Sequence, residues 1–498
     1  MSRIQRVLTT LVALYLATPV VLFLLTWLQP AWGLPLGALT VLGSWLAWRN
    51  ASPDHVFGQP GEPGFTHLQW LAIVLVALIW SALGGAGHLF YANYFDWHVR
   101  DALLMDLARH LGPIGFKLSS QNAVWLLRCP LGYFLVPALA AKLWGEQLGQ
   151  LFLLAWTFLG VFLFLSLAAS LRSGWRHVTL TLLILPLFGG MDWLGGWILA
   201  HPLPLFSTVH LQWWAGLFQY SSASTQLFWV PNHALPGWLL AACLYLHWHN
   251  PKAIRTIPWW IAVMPLWSPL TTIGVIPLLA VWFFKHVRHN QATLFAGAGV
   301  ALCLLPPAIL CAAYLTMDSA GVPSNWTMQA LPFAQWLRLY GAFISLEFGI
   351  LWVLLLRTRR EALLLTSGII LLVLPLYRLG LANDLAMRAS IAPLIILALY
   401  AVERLGNSTA NGVAHKKGHH LLIAVLCLGA ITGLHEIARA LVLPRWNSPP
   451  YANTFVETSG VAHYFARIDN GFLSTKLAPG TIIQLQIQPV NAAKAAAH

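Results

Sequence analysis

Charge is what this sequence has least of. Asp, Glu, Lys and Arg make up only 9% of its 498 residues, and acids (15) are scarcer than bases (28). An ordinary soluble domain carries about 25% charged residues. A chain this poor in charge cannot clothe a globule with polar surface, which excludes a conventional soluble enzyme. Cysteine is sparse too. The five (Cys129, Cys243, Cys303, Cys311 and Cys427) sit in apolar surroundings with no CxxC pair, which excludes a zinc ribbon and a disulfide framework. None of the 19 histidines falls into HExxH or another metal spacing. The net charge of +13 is spread over the ends of apolar runs. It is gathered on no amphipathic helix or aromatic sheet, so nucleic acid is not an expected partner. No internal repeat is evident, which weighs against a transporter built from two related halves.

What the sequence does have is long apolar runs, with 58% of its residues hydrophobic. LTTLVALYLATPVVLFLLTWL (9 to 29) is long enough to cross a bilayer as a helix. MSRIQR precedes it, and the run is too long and lacks the small-residue cleavage site of a secretory signal, so it reads as a first anchor. In lipid each backbone group needs an internal partner, so the crossings are helical. The expected class is an all-α polytopic membrane protein in which membrane lipids replace water around the bundle.

The basic loops set the expected topology. With the N-terminus cytoplasmic, crossings fall near 9–29, 35–48 and 68–90. Counting both 123–143 and 148–171 as crossings would leave Arg172 and Arg176 outside. The conflict disappears if 123–143 lies along the outer interface or re-enters, as Arg128, Cys129-Pro130 and Lys142 favour. Further crossings fall near 178–190, 234–248, 257–285 (two, broken at Trp267-Ser268-Pro269), 292–316, 339–356, 361–378, 389–404 and 419–441. The expectation is a bundle of about 13 transmembrane helices with juxtamembrane helices on the outer face. It occupies residues 1–442, with outer loops at 91–147 and 190–233, and a short outer tail follows at 443–498. Within the tail, TIIQLQIQPV (481 to 490) alternates like a strand. Only Asp54, Glu62, Glu361 and Glu403 among the acids fall on the cytoplasmic side.

Three outer constellations could carry chemistry. The first holds Asp96, His98, Arg100, Asp101, Asp106, Arg109 and His110 just beyond the third crossing. On a helix Asp96 and Arg100 are one turn apart and can pair. The same spacing fits an interfacial helix with solvated charges. The second, YRLGLANDLAMRAS (377 to 390), offers Arg378, Asn383, Asp384 and Arg388. Arginine forks match phosphate oxygens, and Asp384 could orient one of them or simply pair with Arg388. The third, residues 189 to 238, contains Asp192 near its start and is rich in Trp, Trp213 and Trp214 among them. It also carries neutral hydrogen-bonding groups such as His233, a mixture that suits sugar faces and equally a membrane interface. Glu347, His435, Glu436 and Arg439 fall inside or at the ends of crossings, where ionisable groups are costly.

The Asp after an N-terminal crossing (Asp96), the Leu-rich, proline-bearing segment CPLGYFLVPALAAKLWGEQ (129 to 147) and the short helix with Pro186 near its end resemble the GT-C class of membrane glycosyltransferases. The detailed resemblance covers residues 68 to 190. FWVPNH (228 to 233) and NDLAMRAS (383 to 390) are similar to motifs of uncharacterised bacterial polytopic proteins. Two crossings precede the Asp-bearing loop that the class does not have, and the usual acidic pair is here Asp96 followed by His98. The resemblance implies a GT-C-like bundle in a bacterial inner membrane with its active site on the periplasmic face. It implies an enzyme moving a sugar from a polyprenyl-phosphate-linked donor to a glycan, lipid or protein acceptor, with inversion. Asp96 would be the base. Arg378, Arg388, Asp384, Asn383 and Arg100 would hold the donor phosphate, and Asp192, His98, Asp101, Trp213, Trp214 and His233 would bind sugar or acceptor. No cofactor is required, and a divalent cation is admitted without being implied. The rival expectations are a lipid-linked sugar flippase or an O-antigen-type polymerase or ligase.

Overall fold

The computed structural model describes residues 3–49, 64–119, 123–172, 174–199, 203–205, 207–287, 292–380, 383–407, 413–447, 452–458, 464–468 and 471–485. The chain opens with two long helices, α1 (Arg3–Trp27) and α2 (Pro30–Trp48). Pro30 takes the first turn of α2, where a missing N–H costs nothing. A Cβ on Gly33 would overlap the Leu24 carbonyl, so the glycine lets α2 fold back tightly along α1. Then come α3 (His67–Leu83), started by a Thr66–Gln69 capping box, and α4 (Tyr94–Arg109), capped by Asn93. The first loop continues through β1 (Ile114–Leu118), β2 (Val124–Leu127) and α5 (Leu135–Trp144).

A helical series follows: α6 (Gly149–Ala169), α7 (Trp175–Leu187), α8 (Asp192–Ile198), α9 (Ala223–Trp229), α10 (Pro231–His247), α11 (Ile257–Trp267), α12 (Pro269–Val287) and α13 (Ala292–Thr316). The break between α11 and α12 falls at Ser268, as Trp267-Ser268-Pro269 predicts. Next are β3 (Ser324–Trp326), α14 (Phe333–Ile344), a π-helical turn (Ser345–Gly349) and α15 (Ile350–Leu356). They are followed by α16 (Ala362–Val373), β4 (Tyr377–Leu379), α17 (Asp384–Ala389), α18 (Ile391–Gly406) and α19 (Val413–Val442). The tail supplies α20 (Thr454–Glu457), β5 (Phe465–Arg467) and β6 (Thr481–Leu485).

The protein is a largely helical, multi-pass membrane protein. Among the described residues eight helices are long and apolar enough to cross a bilayer, or nine if the bent pair α7 and α8 is one span. Each of the thirteen expected crossings falls on a helix, but α3, α10, α11 and α16 are only 17, 17, 11 and 12 residues long. The structure therefore supports eight or nine spans where the apolar runs gave thirteen. An apolar run measures hydrophobicity, not helix length. Large side chains on the rim, such as Leu14, Leu34 and Leu302, are exposed while Trp238, Trp259 and Trp267 are fully buried. That is the packing expected when lipid surrounds the bundle.

The all-α expectation also needs correction. The 123–143 segment is not one helix but strand β2, a turn and the 10-residue α5, about 15 Å long and too short to cross. β2 joins a four-stranded sheet in the order β5-β2-β1-β6, in which β1 and β6 run parallel. The first loop and the tail thus share one sheet. The tail is fastened further by the Gln29 N–H donating to the Lys476 carbonyl at the turn between α1 and α2 (2.9 Å). The strand-like 481 to 490 stretch forms β6 through Leu485, and its remainder lies outside the described residues.

The opposite face carries the start of α1 and the ends of α2 and α18. There Arg359 joins Glu361 (3.0 Å) to Glu403 (2.6 Å), and Arg172 adds a second cation to Glu403 (3.2 Å). Asp54 and Glu62 lie outside the described residues.

Candidate functional site

On the tail-bearing face the sequence motifs meet around His233. Asp96 lies in the first turn of α4 and pairs with Arg100 at 3.0 Å. Arg100 is nearly buried, while about a third of the Asp96 side chain is exposed. Asp384 and Arg388 occupy one turn of α17 and pair at 2.6 Å. Asn383, the residue before α17, has a left-handed backbone (φ 57°) and its amide donates to the Leu217 carbonyl (3.4 Å).

His233, in the first turn of α10, connects these elements. Its Nδ1 meets Ser268 Oγ at 2.7 Å, and its Nε2 meets the Asn232 amide at 3.2 Å. Ser268 donates to Thr271 Oγ1 (2.6 Å), and Thr271 donates to the Arg388 carbonyl (3.2 Å). FWVPNH, Trp267-Ser268-Pro269 and NDLAMRAS, separated in sequence, therefore form one hydrogen-bonded path. The charges of Arg388 and Arg100 both act on the His233 imidazole.

Tyr464, just before β5, marks the same place from the tail. Burial pushes its phenol up to about 12, Arg100 and Arg388 pull it down, and Asp96 raises it. One phenol thus senses both ion pairs. Arg378 sits on β4, paired across the two-stranded ladder with Asn325, and β4 packs on α17. Gly380 has φ +87°, and a Cβ there would overlap Asp384 Oδ2, so the turn between β4 and α17 requires glycine.

Other expected site residues are elsewhere. Asp101 is fully buried and binds His88, Gln150 and Trp446 instead of the residues of this path. His98 stacks on Tyr94 and reaches the Glu457 carbonyl of the tail (3.2 Å). Trp213 is half exposed and packs edge-on against His210. Asp192 and Trp214 belong to an internal cluster: the Trp214 indole donates to Asp192 Oδ1 (3.2 Å) and Glu347 Oε1 (3.0 Å), and Thr432 donates to Asp192 Oδ2 (2.7 Å). Glu347 lies in the π-helical turn, a local irregularity common at functional positions. A second cluster joins Glu436 to His210 (2.9 Å), Arg439 (2.8 Å) and Trp229 (3.0 Å), with the first three buried and Trp229 half-buried.

His88, Gln150, Tyr464, Ser268 and His210 were not singled out from sequence. Their partners are remote along the chain, and only the cost of ionisable groups in apolar helices pointed toward Glu347 and Glu436. Among the described residues no group of three or more His, Cys, Asp or Glu could hold a metal ion. Asp96 and Asp384 each face an arginine, a donor set suited to anions and not to a divalent cation. In comparisons with known proteins, no family model matches this chain, and neither a curated protein nor a solved structure matches it.

Proposed function

We propose that this protein is a membrane glycosyltransferase of GT-C type. In this reading the helical bundle holds its N-terminus in the cytoplasm and its site on the outer face of a bacterial inner membrane. The observation that carries the reading is the meeting of two Asp–Arg pairs, Asp96–Arg100 and Asp384–Arg388, around His233 and Tyr464. A carboxylate with access to solvent beside one nearly buried and one half-buried guanidinium is what sugar transfer from a phosphate carrier needs. The base removes a proton, and the cations take up the charge of the leaving group.

The acceptor hydroxyl loses its proton to Asp96, and its oxygen attacks the anomeric carbon. The bond from that carbon to the donor phosphate breaks with its electron pair on the phosphate oxygen, inverting the centre. Arg388, with Arg100 and Arg378, neutralises the phosphate, while Asp384 fixes the Arg388 fork and Asn383 shapes the turn. His233, with both ring nitrogens engaged by Ser268 and Asn232, is a positioning residue that holds α10 and α12 together behind the site. The donor is a polyprenyl-phosphate-linked sugar, and the acceptor a glycan, lipid or protein at the membrane surface.

The test is transfer. Purified protein given radiolabelled polyprenyl-phosphate sugars and a glycan extract should label acceptor, and Asp96→Asn should abolish labelling while leaving donor binding largely intact. Unchanged transfer by Asp96→Asn would remove the assigned base.

A second reading, a flippase for lipid-linked sugar, is favoured by one observation. The Asp192–Glu347 and His210–Glu436–Arg439 clusters place ionisable groups inside apolar helices. Movement of donor across liposomes without transfer would support it.

A further inference from the structure

The hairpin of α1 and α2 has its turn on the tail-bearing face, where Gln29 meets Lys476. Away from that turn the two helices flank a cavity of about 840 Å³, lined by α1 from Arg6 to Leu25 and by α2 from Val41 to Arg49, with Val136 and Leu139 of α5 in its wall. Its sides are apolar and outward-facing: Leu14, Leu25, Val41 and Trp45 are all exposed. Its far end, on the face opposite the tail, is different. Arg6, Arg49 and His247 line it together with the Trp48 indole.

That end contains polar groups with no protein acceptor. His247 is 2% exposed, yet neither ring nitrogen has a hydrogen-bond partner, and the indole N–H of Trp48 beside it also has none (ring centroids 6.2 Å). Arg255 has an unpartnered Nε nearby, and its charge is felt together with that of Arg49. Buried polar atoms are nearly always satisfied, so a cluster of orphans calls for a ligand that supplies acceptors. Here the acceptors must suit cations and N–H donors, and the adjoining surface must suit a hydrocarbon chain.

We propose that this groove binds an anionic glycerophospholipid of the leaflet on the N-terminal face. One acyl chain lies between α1 and α2, and the phosphate meets Arg6, Arg49, Trp48 and His247. The Arg6 to Leu25 stretch is about 28 Å long at 1.5 Å per residue, ample for a chain that fills one leaflet. Basic side chains at the membrane surface draw anionic headgroups at about 1 kcal/mol each, which is about fivefold in affinity. The site lies at the other membrane face from Asp96 and is independent of the transfer reading.

The full-length protein, delipidated in detergent, is titrated with phosphatidylglycerol or phosphatidylcholine and followed by native mass spectrometry. One phosphatidylglycerol should be retained in preference to phosphatidylcholine. The Arg6→Gln and Arg49→Gln double variant should weaken that retention about 25-fold, as two such contributions imply, and His247→Phe should weaken it with the space still filled. Equal retention of the two lipids, or a double variant that retains phosphatidylglycerol like the parent, would overturn the proposal. So would inorganic phosphate alone competing the lipid off completely, or a lipid-free dimer joined through the groove. Where a variant fails to fold, phosphatidylglycerol with a diazirine in its chain is photolysed on the unaltered protein. Adducts on the peptides of Leu14 or Val41 support the site, and adducts confined to other helices reject it.

Discussion

Both oxygens of the fully buried Asp101 carboxylate lie within hydrogen-bond reach of His88 Nε2, at 3.1 and 3.0 Å. Gln150 of α6 (2.7 Å) and the Trp446 indole (3.2 Å) donate to the same carboxylate, and Arg445 donates to the His88 carbonyl (2.6 Å). One side chain therefore ties α4, α6, the loop after α3 and the start of the tail together. Five residues earlier on the same helix, Asp96 makes one partly exposed ion pair.

The two acids should consequently fail in different ways. Asp101→Ala orphans the buried His88, at about 1–3 kcal/mol, and removes the acceptor of the half-buried Gln150 and Trp446 donors, so it should lower the melting temperature. Asp96→Asn keeps a hydrogen-bond acceptor beside the nearly buried Arg100 and touches no other buried donor, so melting should move less than for Asp101→Ala while transfer is lost. Thermal denaturation in detergent, run beside the transfer assay, measures both. A stable Asp101→Ala protein would show that this network does not hold the tail.

Gly380→Ala should damage the site from outside it. The backbone there has φ +87°, and the new methyl would overlap Asp384 Oδ2, so Asp384 must move and release the Arg388 fork. Left-handed strain alone costs about 1 kcal/mol. Donor binding should therefore weaken, as it should for Arg388→Ala, which removes the same cation from the phosphate, with only a modest loss of stability. Full donor affinity in Gly380→Ala would mean that Asp384 does not orient the arginine.

The apolar runs and basic loops were enough to put a helix at each expected crossing, though not its length, and the parity conflict at Arg172 and Arg176 identified 123–143 as something other than a spanning helix. That β2 lies there was not legible. β2 finds its partners in β1 nearby and in β5 across the Leu127–Phe465 register, more than three hundred residues away. A strand of four residues in an aromatic-rich loop has no period long enough to read. The ion pairs Asp96–Arg100 and Asp384–Arg388 were legible because helical spacing fixes them locally. The pairing of Asp192 with Glu347 was not, since only the fold brings α8 against the π-helical turn.

A pH dependence is expected where the tail docks on α4. Thr454 donates to Asp106 Oδ2 through both its backbone N–H and its hydroxyl, each at 2.7 Å. Burial raises the Asp106 carboxyl above its ordinary value, against the lowering effect of those bonds. A raised carboxyl favours the protonated folded form. Its contribution is fully present below the unfolded value of about 4 and is lost as pH rises through the folded one. Hydrogen exchange at 452–458, corrected for the intrinsic rate, should show weaker protection toward neutral pH. Asp106→Asn should flatten that slope, and a slope that survives the substitution would assign it to another group.

The internal carboxyl cluster separates the two functional readings. Trp214 offers a single N–H to both Asp192 and Glu347, and Gly190 packs so closely that a Cβ there would overlap Glu347 Oε2. The pocket therefore fixes the length and shape of the side chain at 347. Glu347→Gln keeps that shape and adds an N–H that can donate to Asp192, so folding should be preserved. If the cluster is scaffold, transfer by this variant should stay within about twofold of the parent. Glu347→Leu should melt earlier, because it removes one acceptor of the Trp214 N–H and sets an apolar chain against Asp192, at a cost of about 1–3 kcal/mol. If Glu347 instead carries protons through a translocation cycle, the amide cannot titrate. Glu347→Gln would then keep its stability and lose movement of lipid-linked sugar in liposomes, and that loss would decide for the flippase over the transferase.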